Sequence, residues 1–261
     1  MYLASPYSEV KIMRYNKLQN FIKNVLENMP KDWLHLTTHR LDIYNEALAK
    51  TEFTTNFEVL FNNTNFDESA LKKLPTAYDY IRLGHPLSCV LEWVIGKLHQ
   101  QKPANVISFS SETMPVLAIL RTNLVANKKT QILYSDKLPN SFNAEILKSV
   151  YGYQFELKKV ENTSDISAFN GSTIFISHQN EILTNNLDSN IDFYINNYKN
   201  LGSVLLISGQ QNDSYISDIQ HVRRRETIAM TPSNCLIALK SFVKSSSFIN
   251  KNEAFETNKK K

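Results

Sequence analysis

The sequence is poor in the residue types that most metal, redox and nucleotide sites require. Among 261 residues it has two cysteines, Cys89 and Cys235, and neither belongs to a Cys-x-x-Cys pair. We therefore expect neither a disulfide framework nor a thiolate metal centre. A reducing compartment is expected instead. With six glycines the chain forms no Gly-x-Gly-x-x-Gly and no P-loop pattern, which excludes the common nucleotide-binding loops.

Long apolar runs and a strong excess of one charge are also missing. No stretch approaches the ~18 apolar residues of a membrane-spanning helix, and the N-terminus has no basic segment followed by an apolar core. The 29 basic and 25 acidic residues are interspersed and leave a net charge of +4, which does not indicate nucleic-acid binding. Because 42% of the residues are hydrophobic, we expect a globular, soluble, cytoplasmic protein with a sizeable core.

The first third of the chain is predicted to be helical and then irregular. Apolar residues between Val10 and Leu26 give a broad helical face, and Met29-Pro30 marks its end. A second helix is predicted at 39–50. Residues 51–79 are rich in turn-forming residues and are predicted to be irregular.

From residue 84 onward, short apolar strands alternate with helices of 10–15 residues. Strands are predicted at 105–109, 131–134, 154–160, 172–177 and 203–208. Helices are predicted at 87–99, 112–125, 144–151, 187–200 and 232–243. This alternation predicts an α/β fold with a doubly wound, mostly parallel sheet and helices on both faces. The helix 87–99 should pack Val90, Leu91 and Val94 on the core.

One block resembles a known family signature. Residues 80–98 carry Tyr80, Arg82, Gly84, Pro86 and the pair Leu91-Glu92 in the order and spacing Tyr-x-Arg-x-Gly-x-Pro, then a helix with Leu-Glu near its start. This is similar to the signature that opens the large domain of the cystathionine synthase and lyase family, pyridoxal-phosphate (PLP) enzymes of Cys/Met metabolism. The resemblance implies the large domain of fold type I PLP-dependent transferases.

The resemblance also implies a domain organisation. Residues 1–79 are a helical extension followed by an irregular arm, 80–250 are the α/β domain, and 251–261 are a tail. The small C-terminal domain of the family is expected to be missing.

The residues that would hold the cofactor depart from the family pattern. Ser111 and Glu112 replace the Ser-Gly of the phosphate-binding turn, and they suit the start of a helix instead. Leu138 replaces the tyrosine that stacks on the cofactor ring. Ser208 replaces the aspartate that pairs with the ring nitrogen.

The Schiff-base lysine should follow that aspartate by about 25 residues in the family. No lysine occurs between Lys199 and Lys240, and Lys240 is predicted to lie on the solvent side of a helix. Without this lysine the cofactor cannot be anchored. We therefore expect no cofactor and no catalysis, and the chain is interpreted as a pseudoenzyme.

Other candidate sites rest on weaker patterns. His35 and His39 have the i, i+4 spacing of metal ligands, but no third ligand accompanies them, so no metal site is expected. Ser110, His178 and Asp213 follow predicted strands, where α/β proteins bind ligands. They leave two alternatives open, an enzyme of another class and a small-ligand sensor.

A chain that keeps the fold of an enzyme family but lacks its catalytic residues is expected to have retained a surface for binding. In the family, the residues at Tyr80 and Arg82 reach across a dimer interface. With the basic run Arg223, Arg224 and Arg225 they form the candidate interface. The apolar N-terminal helix is a further candidate. We expect a structural or adaptor subunit with protein partners, without nucleic acid and without membrane insertion. The chain also resembles a subunit of the coupling complex of the Dot/Icm type IV secretion system, although no motif carries that similarity.

Overall fold

The computed structural model describes residues 6–35, 46–75, 82–161, 166–179 and 187–245, with the side chains of 6–11 and 46–49 excepted. The helices are α1 (Pro6–Asn28), α2 (Glu46–Asn62), α3 (Glu68–Leu71), α4 (Pro86–His99), α5 (Met114–Val125), α6 (Ala144–Ser149), α7 (Tyr215–Glu226) and α8 (Pro232–Lys244). The strands are β1 (Val106–Phe109), β2 (Thr130–Tyr134), β3 (Phe155–Lys159), β4 (Ser172–His178), β5 (Phe193–Tyr198) and β6 (Gly202–Ile207). Among the described residues, no helix is both long and apolar enough to cross a membrane.

The six strands form one mixed sheet in the order β1-β6-β5-β4-β2-β3. Five strands point the same way, and β6 is antiparallel to both of its neighbours. The predicted α/β fold with a mostly parallel sheet is confirmed. The helix predicted at 187–200 is wrong, because the centre of that range is the strand β5, which is buried along its whole length.

The helices cover both faces of the sheet, as predicted, and each face has its own apolar core. The first face carries α1, α2, α4 and α8, and the second carries α5, α6 and α7. Side chains alternate between the two cores along each strand, so that Phe175 faces the first core while Ile174 and Ile176 face the second. Such two-sided burial explains why most of the strands lack a polar side.

Helix α4 lies at the centre of the first layer. Its start is fixed by a capping box, in which His85 Nδ1 accepts from the Ser88 N–H and Ser88 Oγ accepts from the His85 N–H. Pro86 occupies the first turn, where its missing N–H costs nothing. All residues from Leu87 to Gly96 are buried. The predicted packing of the Val90, Leu91 and Val94 face is confirmed, and the opposite face is buried as well.

The N-terminal helices pack on the first layer. In α1 the apolar face predicted from the sequence is buried within the chain, since Phe21, Ile22 and Val25 are 3% exposed or less. Gln19 Nε2 donates to the carbonyl oxygens of Phe242 and Ser245 at the end of α8, at 2.9 and 2.8 Å. The part of that face from Leu18 to Val25 is therefore mostly covered within the chain, whereas Met13 of the same predicted face is 71% exposed.

Helix α2 extends to Asn62, into the range predicted to be irregular. Its phenylalanines explain the difference, because Phe53 and Phe57 are buried and Phe57 packs edge-on against Trp93 of α4, with 5.0 Å between ring centroids. Tertiary packing of these aromatic side chains stabilises a helix that the local sequence does not favour.

Candidate functional site

The densest group of buried charges surrounds Glu92 on α4. Glu92 Oε1 accepts from the Ser108 N–H at 2.8 Å and from Ser108 Oγ at 2.7 Å, and it lies 3.2 Å from Arg223 Nη1. Glu92 Oε2 lies 2.6 Å from Lys50 Nζ. The side chains of all three charged residues are 5% exposed or less. We call Lys50, Glu92, Ser108 and Arg223 the Glu92 cluster.

The two cations of the Glu92 cluster also bind backbone. Lys50 Nζ donates to the Val106 carbonyl at 2.6 Å, and Arg223 donates to the carbonyls of Ser108 and Leu83. Burial alone would raise the pKa of Glu92, but Lys50, Arg223 and the Ser108 N–H hold it below its ordinary value. The carboxylate is therefore ionised, and it ties α2, α4, β1 and α7 together.

The burial of Arg223 corrects part of the predicted interface. The run Arg223–Arg225 suggested a surface patch, but Arg223 lies on the buried side of α7 with Ile219 and Val222. The 3.6-residue period of the helix could have shown this. Arg225 is exposed and Arg224 half-buried, so their interface role stays a prediction.

Arg82 and Tyr80 were the other members of that candidate interface. Arg82 Nη1 donates to the carbonyls of Arg224 and Arg225 at 3.3 and 3.2 Å, where it caps the end of α7. Tyr80 lies outside the described residues, so its predicted role stays a prediction.

The buried His85 and the two cysteines have environments that suit packing rather than proton transfer or nucleophilic attack. Burial lowers the pKa of His85 to about 4, while its Nε2 lies 2.7 Å from the Met230 carbonyl. The ring is therefore neutral, donates through Nε2 and accepts at Nδ1. Burial raises the pKa of Cys89 to about 12 and that of Cys235 well above its ordinary value. Neither thiol supplies a thiolate near neutral pH.

The edge of the sheet at the carboxyl ends of the parallel strands is where α/β folds bind ligands. Ser111 lies there, and its Oγ accepts from the N–H groups of Thr113 and Met114 at the start of α5. The N-cap of α5 is Thr113, so the N-cap expected at Ser111 was two residues too early, although Ser111 still binds N–H groups at this helix start. Because Ser111 occupies these donors and Glu112 adds a carboxylate, the turn does not suit a phosphate dianion.

His178 and Asn197 are neighbours at the same edge, paired across β4 and β5. The atoms Asn197 Nδ2 and His178 Nε2 are 3.3 Å apart. His178 Nδ1 and Asn197 Oδ1 have no hydrogen-bond partner among the described residues, and Asn197 is fully buried. Partial burial lowers the pKa of His178, while the charge of Glu112 opposes that shift. Asn197 was not among the residues expected from the sequence.

Two candidate residues lie at the opposite edge. Because β6 is reversed, Ser208 follows it at the amino end of the parallel strands, where its N–H donates to the Asp192 carbonyl at 2.8 Å. Asp213 lies at this edge too, and its Oδ1 accepts from Asn105 Nδ2 at 3.0 Å. The structure therefore does not bring Asp213 together with Ser110 and His178, and the alternative site built from these three residues is not formed. Ser208 is likewise wrong as the counterpart of a residue that pairs with a ring nitrogen.

The remaining positions do not complete a PLP site. Leu138 packs against the core of the second face. Lys199 follows β5 directly and is exposed at the carboxyl edge, so this edge does carry a lysine, at a position that the family pattern does not predict. With a carboxylate at the start of α5 and the nearby N–H groups already bonded, the described residues do not fit the cofactor.

The two histidines with metal-ligand spacing do not form a helical pair in the described part of the chain. His35 follows a short 3₁₀ helix in an extended conformation, and His39 lies outside the described residues. Within those residues, no group of three His, Cys, Asp or Glu side chains is arranged to hold a metal ion.

Comparison with known proteins finds similarity among solved structures alone. No protein-family model matches the sequence, and no curated protein matches it. Among solved structures, the chain is similar to metB from Corynebacterium glutamicum, with 13% sequence identity and a TM-score of 0.41. The similarity covers 65% of this chain and 54% of that one, so the chain spans about half the length of metB. A similarity of this degree carries no conclusion about chemistry.

Proposed function

We propose that the chain is a non-catalytic structural or adaptor subunit of a multiprotein assembly. One observation carries the proposal, the concentration of exposed apolar side chains on two helices that cover the same face of the sheet. Of the nine large hydrophobic side chains that the described residues leave exposed, five lie at the ends of α5 and α6. These five, which we call the α5–α6 patch, are Leu124, Val125, Ile146, Val150 and Tyr151.

The α6 end of the patch includes a pair of stacked tyrosines. Tyr151 stacks on Tyr153 with 6.0 Å between ring centroids. Burial raises the pKa of Tyr153, and the charge of Arg121, one turn before Leu124 and Val125, acts on the same side chain. Val125 is 85% exposed and Val150 73% exposed. Apolar clusters of this kind, rimmed by charges, are typical of protein interfaces.

The polar groups support a structural role rather than catalysis. The Glu92 cluster is buried and engaged with the backbone, both thiols have raised pKa values, and Asp213 is separated from His178. The assembly itself is a matter of prediction, and a type IV secretion coupling complex is the one that the sequence resemblance suggests.

The test is recovery of partners from the native cell by a tagged chain, followed by mass spectrometry. Val125→Asp combined with Val150→Asp should remove specific partners, because each change puts a charge into an apolar interface. Ile237→Asp is the matched control, since Ile237 is 52% exposed but lies on α8, away from the patch. Equal recovery by the patch variant and the control, from chains that fold alike, contradicts the proposal.

The absence of catalysis needs a separate test. The purified chain incubated with PLP should give no aldimine absorption band, and borohydride should trap no stoichiometric adduct. Lys199 and Lys240 are the positions to inspect by mass spectrometry, because Lys199 lies at the carboxyl edge and Lys240 is the next lysine along the chain. A unique, stoichiometric adduct at either lysine contradicts a non-catalytic role.

A second candidate is binding of a small ligand at the carboxyl edge. It is favoured by His178 Nδ1 and Asn197 Oδ1, which have no partner within the described ranges. Either tautomer of the histidine leaves polar atoms there that a ligand could satisfy. A screen of small polar metabolites by thermal shift tests it. A stabilising compound should lose its effect in Asn197→Leu, and a compound that stabilises both proteins equally binds elsewhere.

A further inference from the structure

We infer that a groove between α1 and the end of α2 binds an extended acidic segment of a partner protein, which inserts one aromatic or branched apolar side chain. The inference deepens the proposed adaptor role and rests on it, but it concerns a different face from the α5–α6 patch. We call this site the α1–α2 groove. Its floor is aromatic, and its wall is a polar row on α1.

The floor consists of Phe21, Phe61 and Phe66. Phe21 and Phe61 pack edge-on with 5.2 Å between centroids, and Phe61 packs in the same way on Trp93 at 5.3 Å. Trp93 is buried in the core of the first face, so the floor is supported from below. A floor held in this way is formed before a partner arrives, which lowers the entropic cost of binding.

The size of the groove suits one large apolar side chain. Its cavity volume is about 160 Å³ and it is open to solvent on one side. An apolar cavity of roughly 150 Å³ is large enough to bind benzene. One aromatic or branched aliphatic side chain therefore fills it, whereas a whole helix does not enter.

The wall presents side-chain amides at a regular spacing. Asn24 Nδ2 donates to the Asn20 carbonyl at 2.8 Å, and Asn28 Nδ2 donates to the Asn24 carbonyl at 2.9 Å. These bonds orient the amides along α1 and leave the Oδ1 atoms without a bond to the described residues.

The spacing of the amides along α1 matches, over a short distance, the spacing of alternate residues in an extended chain. Four residues of helix rise about 6.0 Å, and two residues of a strand rise about 6.6 Å. Asn20 and Asn24 can therefore pair with alternate residues of an extended segment, since each amide offers both a donor and an acceptor. The mismatch of about 0.6 Å per step limits the match to two or three amides.

The positive charge at the rim of the groove favours a negatively charged partner segment. Lys17 Nζ lies 4.8 Å from the centroid of Phe61, and it has no carboxylate partner among the described residues. Lys97 Nζ lies 5.7 Å from the same ring, but it is paired with Glu58 at 2.6 Å. A carboxylate beside the inserted apolar side chain would pair with Lys17. The partner segment is therefore acidic.

A direct binding experiment with the purified full-length chain tests this inference. The probe is a fluorescein-labelled synthetic peptide of the sequence Asp-Ser-Asp-Phe-Asp-Ser-Asp, followed by fluorescence anisotropy. One control peptide replaces Phe by Ala, and another replaces every Asp by Asn. Saturable binding of the probe, with at least roughly tenfold weaker binding of both controls, is expected. Equal binding of the probe and either control overturns the inference.

Substitutions test whether the probe binds in the α1–α2 groove. Lys17→Glu should weaken binding about tenfold, and Asn20→Trp should abolish it by filling the groove from an exposed position. Lys23→Glu is the matched control, an exposed lysine on another side of the same helix, and should change binding less than about twofold. Equal weakening by Lys17→Glu and Lys23→Glu would reveal attraction to the net charge alone, and it overturns the inference.

Other occupants give different results. The sequence Glu253-Ala-Phe255-Glu256 has the same acidic and aromatic chemistry. If the probe binds only to a Phe255→Ala variant, the chain fills its own groove and the inference of a partner is wrong. If light scattering shows a dimer that Asn20→Trp dissociates, a second copy fills the groove, with the same consequence. Because the assay needs no partner from the cell, its failure is distinct from failure of the α5–α6 patch test.

Discussion

Two buried groups of polar side chains lie against the same sheet, and they are satisfied to different degrees. In the Glu92 cluster both carboxylate oxygens have donors, and both cations also bind backbone carbonyls. At the carboxyl edge, His178 Nδ1 and Asn197 Oδ1 have no partner in the part of the chain that the structure describes. The Glu92 cluster leaves one buried donor, Arg223 Nε, without a partner among the described residues, but its carboxylate is paired with two cations. The pair His178 and Asn197 leaves two polar atoms unpaired there and has no ion pair to offset the cost of burial. Substitutions should therefore act very differently in the two places.

Glu92→Ala should have the largest effect. It leaves Lys50 and Arg223 buried without their carboxylate, and the loss of one partner of a buried ion pair costs about 3–5 kcal/mol of unfolding free energy. Urea denaturation followed by circular dichroism measures the change. If the variant does not fold, the milder Glu92→Gln provides the comparison.

The matched control for Glu92 is Glu68→Gln. Glu68 pairs with Lys72 at i, i+4 on the surface, where both side chains are more than half exposed. Such pairs contribute little, so the urea midpoint should barely move. A Glu92 variant that is no more sensitive than this control would show that the cluster does not stabilise the fold.

The next largest effect should depend on pH. His85 is neutral in the folded chain because burial lowers its pKa to about 4, whereas the unfolded chain protonates near pH 6.5. Stability is therefore full above pH 6.5 and falls by about 3 kcal/mol as the pH drops to about 4. Urea midpoints between about pH 7 and 4 measure this loss.

His85→Asn should flatten that pH profile, because asparagine can still accept the Ser88 N–H without titrating. His178→Asn is the matched control. The pKa of His178 is also lowered, but its ring is only partly buried, so its substitution should remove less of the slope. A profile that His85→Asn leaves unchanged assigns the acid sensitivity to other groups.

A smaller contrast is expected between two adjacent asparagines. Asn196 is bonded at both ends of its amide, to Ser177 Oγ and to the backbone of Gln179. Asn196→Leu should therefore cost about 1–3 kcal/mol. Asn197→Leu should change stability by less than about 1 kcal/mol, because one of its polar atoms is already unpaired. Equal losses would show that the amide of Asn197 contributes as much to stability as the fully bonded amide of Asn196.

The smallest effect is expected for Arg82→Ala. Arg82 caps the last carbonyls of α7 from an exposed position, with bonds of 3.2 and 3.3 Å. Such a cap contributes about 0.5 kcal/mol. A much larger loss, measured by urea denaturation, would indicate a role for Arg82 beyond capping.

The sequence predicted five of the six strands, because four of them are largely apolar runs and β3 alternates between apolar and polar residues. It missed α7, for which no helix was predicted, and β5, where Asn196 and Asn197 interrupt the apolar pattern and pair with the neighbouring strands. The antiparallel direction of β6 was not predicted for the same reason, because β6 follows β5 directly in the chain. Recognising β5 would have placed a tight turn at Lys199–Leu201 before Gly202, and so short a connection joins antiparallel strands.

The site was predicted less well than the fold. Local chemistry placed Ser111 near a helix start, but it put the N-cap two residues before Thr113, where the structure has it. The Glu92 cluster did not, because Lys50 and Arg223 lie far apart in the sequence and meet only in the folded chain. A single glutamate within the apolar run Leu87–Ile95 was the available signal, since an isolated charge on a buried helix requires a partner.

The contact between α1 and α8 has a consequence for biosynthesis. Gln19 binds the carbonyls of Phe242 and Ser245, so a helix made early in translation meets its partner only after more than about 200 further residues have been added. At roughly 5–20 residues per second, that interval is on the order of 10–40 s. During it the apolar side of α1 has no α8 to cover it, which makes this helix a natural substrate for chaperones that act on nascent chains.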